Sequence, residues 1–184
     1  LVIHRIAITP GDPAGIGPDI CALISRDPPK NTELVVFADR TILEARAQKL
    51  GISISLKPYV REEAPTPSAI GELSLVQINK KADVTIGELN AVNSPYVLES
   101  LELATQKVLD QELDAVVTGP VHKGIGHFVK PNSVIQTGAN EHLLWLLIRE
   151  GREGRAVERE VGNHGKGCLL LADTALKGTN HMEP

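Results

Sequence analysis

Two glycine-rich segments contain the residues whose types and spacing are suited to chemistry. Residues Thr9–Asp19 read TPGDPAGIGPD, and residues Thr118–Gly124 read TGPVHKG. A glycine-rich turn before a helix leaves backbone N–H groups open at the helix N-terminus, where the helix dipole favours an anion such as phosphate. In the second segment, His122 can exchange protons near neutral pH and Lys123 can hold a phosphate or carboxylate. We therefore predict an anion-binding loop and, in His122 and Lys123, two candidate catalytic residues.

The anion-binding prediction applies to Gly11, Asp12, Gly15 and Gly17. The third glycine position of a dinucleotide-binding fingerprint is occupied by Ile20, and no Gly-Lys-Ser/Thr follows, so neither the Rossmann nor the P-loop pattern is met. A tight turn that uses proline and glycine for geometry alone is an equally open interpretation. The histidine and lysine of the second segment are, in the same way, open to interpretation as solvated surface residues.

The elements that must position these segments alternate along the chain. β-Branched runs ended by Gly or Pro predict strands, and apolar residues at helical spacing predict helices. The predicted strands cover residues 5–9, 33–38 and 113–118, and the predicted helices cover residues 18–25, 40–50 and 90–110. This rhythm, with aromatic residues at only 3%, predicts an α/β fold with a parallel or mixed sheet and flanking helices.

Three stretches interrupt that rhythm. Residues 57–90 contain several prolines between short alternating pieces, which predicts an irregular excursion from the α/β region of residues 1–124. Residues 149–167 are dense in charge and glycine, so we expect them to be exposed or disordered. Residues 167–172 predict one more strand, within a divergent tail over residues 125–184 that offers it no neighbour.

Composition limits the classes of partner. The 184 residues carry a formal net charge of -4 with no long basic run, so we expect no nucleic-acid partner. No apolar stretch approaches eighteen residues, and no basic region is followed by an apolar one near residue 1, so we expect a soluble cytoplasmic protein without membrane contact. Cys21 and Cys168 lie far apart outside any metal-binding spacing and are predicted to be reduced, buried thiols.

Residues 5–19 together with residues 114–124 resemble the 4-hydroxythreonine-4-phosphate dehydrogenase family of pyridoxal phosphate biosynthesis. Residues 32–59 and the segment Tyr96–Leu101 are similar to the same family, so the resemblance is nearly continuous from residue 5 to residue 124. It implies an NAD-dependent oxidation of 4-phosphooxy-threonine to a β-keto acid that loses CO2. It also implies a divalent metal (Zn, Mg or Co) acting as a Lewis acid, a homodimer, and a two-lobed α/β fold like that of isocitrate and isopropylmalate dehydrogenases.

The chain departs from the family after about residue 124. Where the family has a substrate-binding His-Thr pair, Ala139 and Asn140 stand here, and a methyl group forms no hydrogen bond. His181 corresponds to one family metal ligand, but the other two metal histidines and the rest of the substrate site are missing. We therefore expect a truncated or frameshifted family member with impaired catalysis. Two alternatives remain: a non-catalytic phosphoanion-binding or interaction module, and a relative acting on another phosphorylated four-carbon acid.

Overall fold

The computed structural model describes residues 2–120, 159–160 and 168–171. Its strands form one sheet in the order β3-β4-β2-β1-β5-β7-β6. The strands are β1 His4–Thr9, β2 Thr32–Ala38, β3 Ser55–Pro58, β4 Glu72–Gln77, β5 Ala115–Thr118, β6 Arg159–Glu160 and β7 Cys168–Leu171. The helices are α1 Gly17–Ile24, α2 Arg40–Lys49 and α3 Ser94–Leu109, the last preceded by a 3₁₀ turn over Ala91–Asn93. The α/β class predicted from the alternating pattern is confirmed.

Strand β1 lies inside the sheet and is parallel to both of its neighbours. Its residue Ile6 is paired with Leu34 of β2 on one side and with Ala115 of β5 on the other. Parallel strands place their carboxyl ends at one edge, so the segments that follow β1 and β5 lie side by side there. Both glycine-rich segments of the sequence therefore begin at the same edge of the sheet.

Helices cover the sheet on both faces. One core cluster joins Cys21 of α1 and Leu43 of α2 to the β2 side chains Leu34 and Val36. The other joins Tyr96 and Leu101 of α3 and their neighbours to the opposite face of the same strands. A sheet buried on both faces requires continuous apolar strands, which explains why β2 reads LVVFA over residues 34–38.

The helix ends follow from local chemistry. Helix α1 carries Pro18 in its first turn, where a missing N–H costs nothing, and α2 begins after Asp39, whose side chain accepts a hydrogen bond from the Thr41 N–H. Helix α2 ends before Gly51, which has a φ of +67°. That left-handed conformation strains other residues, so the predicted helix end at Gly51 is confirmed.

Two expectations drawn from the sequence need correction. Residues 72–77, placed by the sequence in an irregular excursion, form β4 and pair in parallel with β2 inside the main sheet. The strand predicted over residues 167–172 is observed as β7, and it does have neighbours, because it pairs antiparallel with β5 and with β6. Proline-separated short strands thus join the sheet through contacts that a local pattern does not show.

A buried ion pair lies near the opposite, amino-terminal edge of the sheet. The Arg5 Nε of β1 donates to Glu33 Oε2 of β2 at 2.8 Å, with both side chains almost completely buried. The same guanidinium lies 5.2 Å from the centre of the Tyr59 ring and donates to the Arg61 carbonyl oxygen at 3.2 Å. Burial alone would lower the pKa of Arg5, but the hydrogen bond and the charge of Glu33 outweigh burial and raise it. Arg5 of β1 therefore links β1 to β2 through Glu33, and links both strands to the segment after β3 through the Arg61 carbonyl oxygen.

Candidate functional site

The loops that follow β1 and β5 are packed directly against each other. The Gly119 N–H donates to the Thr9 carbonyl oxygen at 2.6 Å, and Gly11 has a φ of +81°. A Cβ added to Gly17 or to Gly119 would overlap the carbonyl oxygen of Pro10. These glycines are therefore required for close backbone approach, as the tight-turn interpretation of the sequence expects.

The first turn of α1 also presents open donors beside this contact. The N–H groups of Gly17 and Asp19 make no hydrogen bond within the described residues, whereas the Gly15 N–H donates to the Asp12 carbonyl oxygen at 2.9 Å. The Asp12 side chain accepts from the Ala14 N–H at 2.9 Å. The loop therefore combines close backbone packing with N–H groups that make no hydrogen bond within the described residues. The close packing leaves these N–H groups able to bind an anion.

Arg46, which is not among the site residues predicted from the sequence, contacts this loop through its guanidinium group. Its Nε donates to Asp19 Oδ1 at 2.9 Å, and its Nη2 contacts both the other Asp19 oxygen and the Gly15 carbonyl oxygen. The arginine is only 4% exposed, and its Nη1 has no partner among the described residues. The signal was present in the sequence, because Arg46 falls on the same buried stripe of α2 as Ile42 and Leu43.

Asp39, at the carboxyl end of β2, is a buried acid near this edge. One carboxylate oxygen accepts from the Thr41 N–H at 2.8 Å, and the other accepts from the Lys80 N–H at 2.9 Å. Its own N–H donates to the Tyr96 hydroxyl oxygen at 3.1 Å. Burial would raise the pKa of Asp39, but these hydrogen bonds outweigh it and lower the pKa. The carboxylate thus has a structural role in joining α2 to the segment after β4.

Asp39 gives a prediction about pH dependence. Because its pKa is lower in the folded state than in the unfolded chain, the ionised carboxylate stabilises the fold above the unfolded value of about 3.9, and this contribution is lost as the pH falls through the folded value. Urea unfolding should show Asp39→Asn about 1–2 kcal/mol less stable than the parent at neutral pH, with the gap narrowing as the pH is lowered below about 4. The control is Asp83→Asn, whose side chain is fully exposed. A gap that is constant from neutral to acid pH would contradict this assignment.

The structure describes only part of the set of site residues predicted from the sequence. Gly11, Asp12, Gly15 and Gly17 are brought together at the carboxyl edge of the sheet. The other predicted residues lie outside the described residues, namely His122 and Lys123 as catalytic candidates, Ala139 and Asn140 as substrate contacts, and His181 as metal ligand. The segment 149–167 predicted to be exposed also lies outside them, except for the two residues of β6.

The described residues also bear on metal and membrane binding. Over residues 2–120 and the short strands β6 and β7, no group of three or more His, Cys, Asp or Glu side chains is arranged to hold a metal ion. His181, the metal ligand that the resemblance implies, lies outside this part of the chain. Cys21 is free and buried, and burial raises the pKa of its thiol to about 12, as expected for an unreactive cysteine. Within the same described part, none of the helices has the length and apolarity needed to cross a membrane.

A comparison with models of known protein families identifies the family of this chain. The model of the family described as pyridoxal phosphate biosynthetic protein PdxA matches residues 30–143. This chain belongs to the PdxA family. The match includes β2 to β5 and everything between them, so the similarity to the family covers most of the described sheet.

Individual members of the PdxA family agree with that assignment. A 4-hydroxythreonine-4-phosphate dehydrogenase of Sodalis glossinidius is 48% identical over 150 residues, which are 82% of this chain and 43% of that protein. The Shewanella frigidimarina protein of the same name is 46% identical over 66% of this chain and 37% of its own length. This chain therefore spans less than half of the length of the relatives that it matches.

Solved structures of PdxA-family proteins share the fold. The crystal structure of a 4-hydroxythreonine-4-phosphate dehydrogenase from Burkholderia phymatum matches 78% of this chain and 44% of its own, with a TM-score of 0.66 at 21% identity. The corresponding enzyme of Klebsiella pneumoniae matches 76% of this chain and 44% of its own, with a TM-score of 0.59 at 24% identity. The α/β architecture of this chain is thus shared with part of each of these two structures.

Proposed function

We propose that this chain provides the amino-terminal α/β unit of an NAD-dependent dehydrogenase that oxidises 4-phosphooxy-threonine in pyridoxal phosphate biosynthesis. The observation that carries the proposal is the 48% identity to a 4-hydroxythreonine-4-phosphate dehydrogenase over 150 residues. NAD as cofactor, a divalent metal, a homodimer and a cytoplasmic location are parts of the same proposal. Its substrate is a phosphorylated small molecule, for which the loop at the carboxyl edge of the sheet is the proposed contact.

The role of that loop follows from its position and its donors. Among the described residues, the N–H groups of Gly17 and Asp19 have no hydrogen-bond partner at the positive end of the α1 dipole. Ligands of open α/β sheets bind outside the carboxyl ends of the strands. In this proposal the loop of Gly11, Asp12, Gly15 and Gly17 holds a phosphate group. His122 then exchanges a proton with the reacting alcohol, and Lys123 holds a substrate anion.

Catalysis by the 184-residue chain is proposed to be impaired. The substrate pair is Ala139 and Asn140, and His181 alone cannot form a metal site, because affinity for a divalent metal requires several ligands. A bound metal in this family supplies Lewis-acid polarisation of the reacting oxygens, worth several kcal/mol. Its loss lowers turnover by at least about a thousandfold.

The test measures NADH formation from 4-phosphooxy-threonine and NAD with Zn, Mg or Co added. The Sodalis glossinidius relative is assayed in parallel, and circular dichroism verifies that both proteins are folded. Turnover at least about a thousandfold below the relative is expected. Turnover equal to that of the relative would contradict the impairment while supporting the proposed activity.

A second candidate, a non-catalytic phosphoanion-binding module, is favoured by the open donors of α1. It predicts that inorganic phosphate binds with no dependence on divalent metal, measured by calorimetry. Lys123→Met should weaken this binding severalfold, whereas Lys30→Met, which removes an exposed charge just before β2 at the amino-terminal edge, should not. Failure of the parent chain to bind phosphate would remove this candidate.

A further inference from the structure

The loop before α1 and the first turn of the helix contain two carboxylates, which repel a phosphate unless their charge is balanced. Asp12 lies in the turn before α1, where its side chain accepts from the Ala14 N–H at 2.9 Å. Asp19 lies in the first turn of α1, close to the N–H groups that have no hydrogen-bond partner within the described residues. A negative charge at this position opposes the attraction of the helix dipole for an anion. The charge of Asp19 therefore has to be offset for this loop to bind a phosphate.

A buried arginine on the neighbouring helix α2 offsets this charge. The Arg46 Nε donates to Asp19 Oδ1 at 2.9 Å, and its Nη2 contacts the second Asp19 oxygen, so both carboxylate oxygens face the guanidinium. The side chains of Arg46 and Asp19 are only 5% and 20% exposed, which limits screening by salt. The Nη2 also contacts the Gly15 carbonyl oxygen. Within residues 2–120, no other cationic side chain is hydrogen-bonded to residues 9–19, so Arg46 sets the charge of this segment.

Stability alone does not account for an arginine at this position. Arg46 continues a buried stripe of α2 formed by Ile42, Leu43 and Ala47, where an apolar side chain would also pack. A buried ion pair is often no more stabilising than apolar residues of similar volume, because both charges lose their hydration. The Arg46 Nη1 is also buried without a partner among the described residues, which is itself destabilising. The charge at residue 46 therefore serves the loop that the guanidinium contacts.

We propose that Arg46 is a positioning residue for anion binding by the loop before α1. Its pairing with Asp19 cancels the charge of that carboxylate and fixes the first turn of α1, so that the N–H groups of Gly17 and Asp19 meet the oxygens of a phosphate monoester dianion. Arg46 itself does not contact the phosphate. This inference rests on the proposed phosphate contact of the loop, and it adds the residue on which that contact depends.

The experiment measures the binding of inorganic phosphate to the 184-residue chain and its variants by calorimetry. Asp19→Asn removes the negative charge but keeps a side-chain oxygen for the Arg46 Nε, so the affinity should rise about threefold or more. Arg46→Met leaves the carboxylate without its counter-charge, so the affinity should fall about tenfold. The double variant lacks both charges and should return to within about threefold of the parent. A purely structural role predicts the opposite sign for Asp19→Asn, because a weaker pair would loosen the loop and lower the affinity.

A matched control makes the same change at the other end of α1. Arg26→Met removes an exposed cation roughly 13 Å along the helix from Gly17. At physiological salt the Debye length is about 8 Å, so the affinity of this control should stay within about twofold of the parent. Circular dichroism and urea unfolding are recorded for every variant. Asp19→Asn and the double variant have no unpaired carboxylate at residue 19, so they test the proposal even where Arg46→Met fails to fold.

The order of affinities separates the role of Arg46 from the phosphate contact itself. Phosphate binding by the parent, with Asp19→Asn binding no more tightly than the parent, would overturn the role of Arg46 alone. A double variant as weak as Arg46→Met would overturn it too. If the parent does not bind phosphate, the proposed phosphate contact of the loop fails, and the role of Arg46 fails with it.

Discussion

Replacing Gly17 with alanine is expected to destabilise the fold by about 3 kcal/mol or more. A Cβ at this position would overlap the carbonyl oxygen of Pro10, which is backbone and cannot turn aside as a flexible side chain can. Relief requires that the loop after β1 move away from the start of α1, and the hydrogen bond between Gly119 and Thr9 would be lost with that movement. The measurement is urea unfolding followed by circular dichroism.

The control for this change is Gly51→Ala at the end of α2. Gly51 has a φ of +67° but no atom within 4 Å of the added Cβ, so its replacement costs only the backbone strain of about 1 kcal/mol. Comparing the two variants separates the cost of steric overlap with Pro10 at Gly17 from the cost of backbone strain at Gly51. Equal losses of stability in the two variants would show that Gly17 is not in the close contact with Pro10 described here.

Arg5→Met is expected to cost about 3–5 kcal/mol, because it leaves the Glu33 carboxylate buried without a counter-charge. It also removes the donors to the carbonyl oxygens of Arg61 and Glu63 and the contact with the Tyr59 ring. The same unfolding experiment gives the free energy. Adding Glu33→Leu to the Arg5 variant should recover a large part of the loss, because the unpaired charge is then absent.

The exposed ion pair between Lys57 and Glu72 is the control for the buried one. Its atoms are 2.7 Å apart, against 2.8 Å in the buried pair, but the lysine side chain is 60% exposed and solvent weakens the attraction. Lys57→Met should therefore change stability by no more than about 1 kcal/mol. An Arg5 variant as stable as the Lys57 variant would contradict the structural role of the buried pair.

The sequence predicted the elements whose causes are local. Apolar runs and turn residues located β1, β2, α1, α2 and α3 to within a few residues, and Gly51 marked the end of α2 because its φ is positive. It did not predict that β4 joins the sheet beside β2, since that pairing depends on side chains that meet only after the chain has folded.

The same limit applies to the site. The glycines of the loop could be chosen from residue type, but the packing of Gly11 against the Pro120 carbonyl depends on the segment after β5, about a hundred residues later. Arg46 could have been found as a charge on an apolar stripe, whereas its partners Gly15 and Asp19 could not, because no spacing rule relates one helix to the next. Asp39 follows a strand, as a ligand-binding acid often does, yet its oxygens are used within the fold.

The position of β1 between β2 and β5 has a consequence for synthesis on the ribosome. Its β2 partner follows within thirty residues, with Arg5 opposite Glu33, but Ile6 meets Ala115 only after the whole intervening chain has been made. At about 5–20 residues per second, several seconds pass in which one side of β1 has open N–H and C=O groups. During that interval the nascent chain is an unprotected template for strand addition, so we expect its dependence on chaperones to end when β5 leaves the exit tunnel.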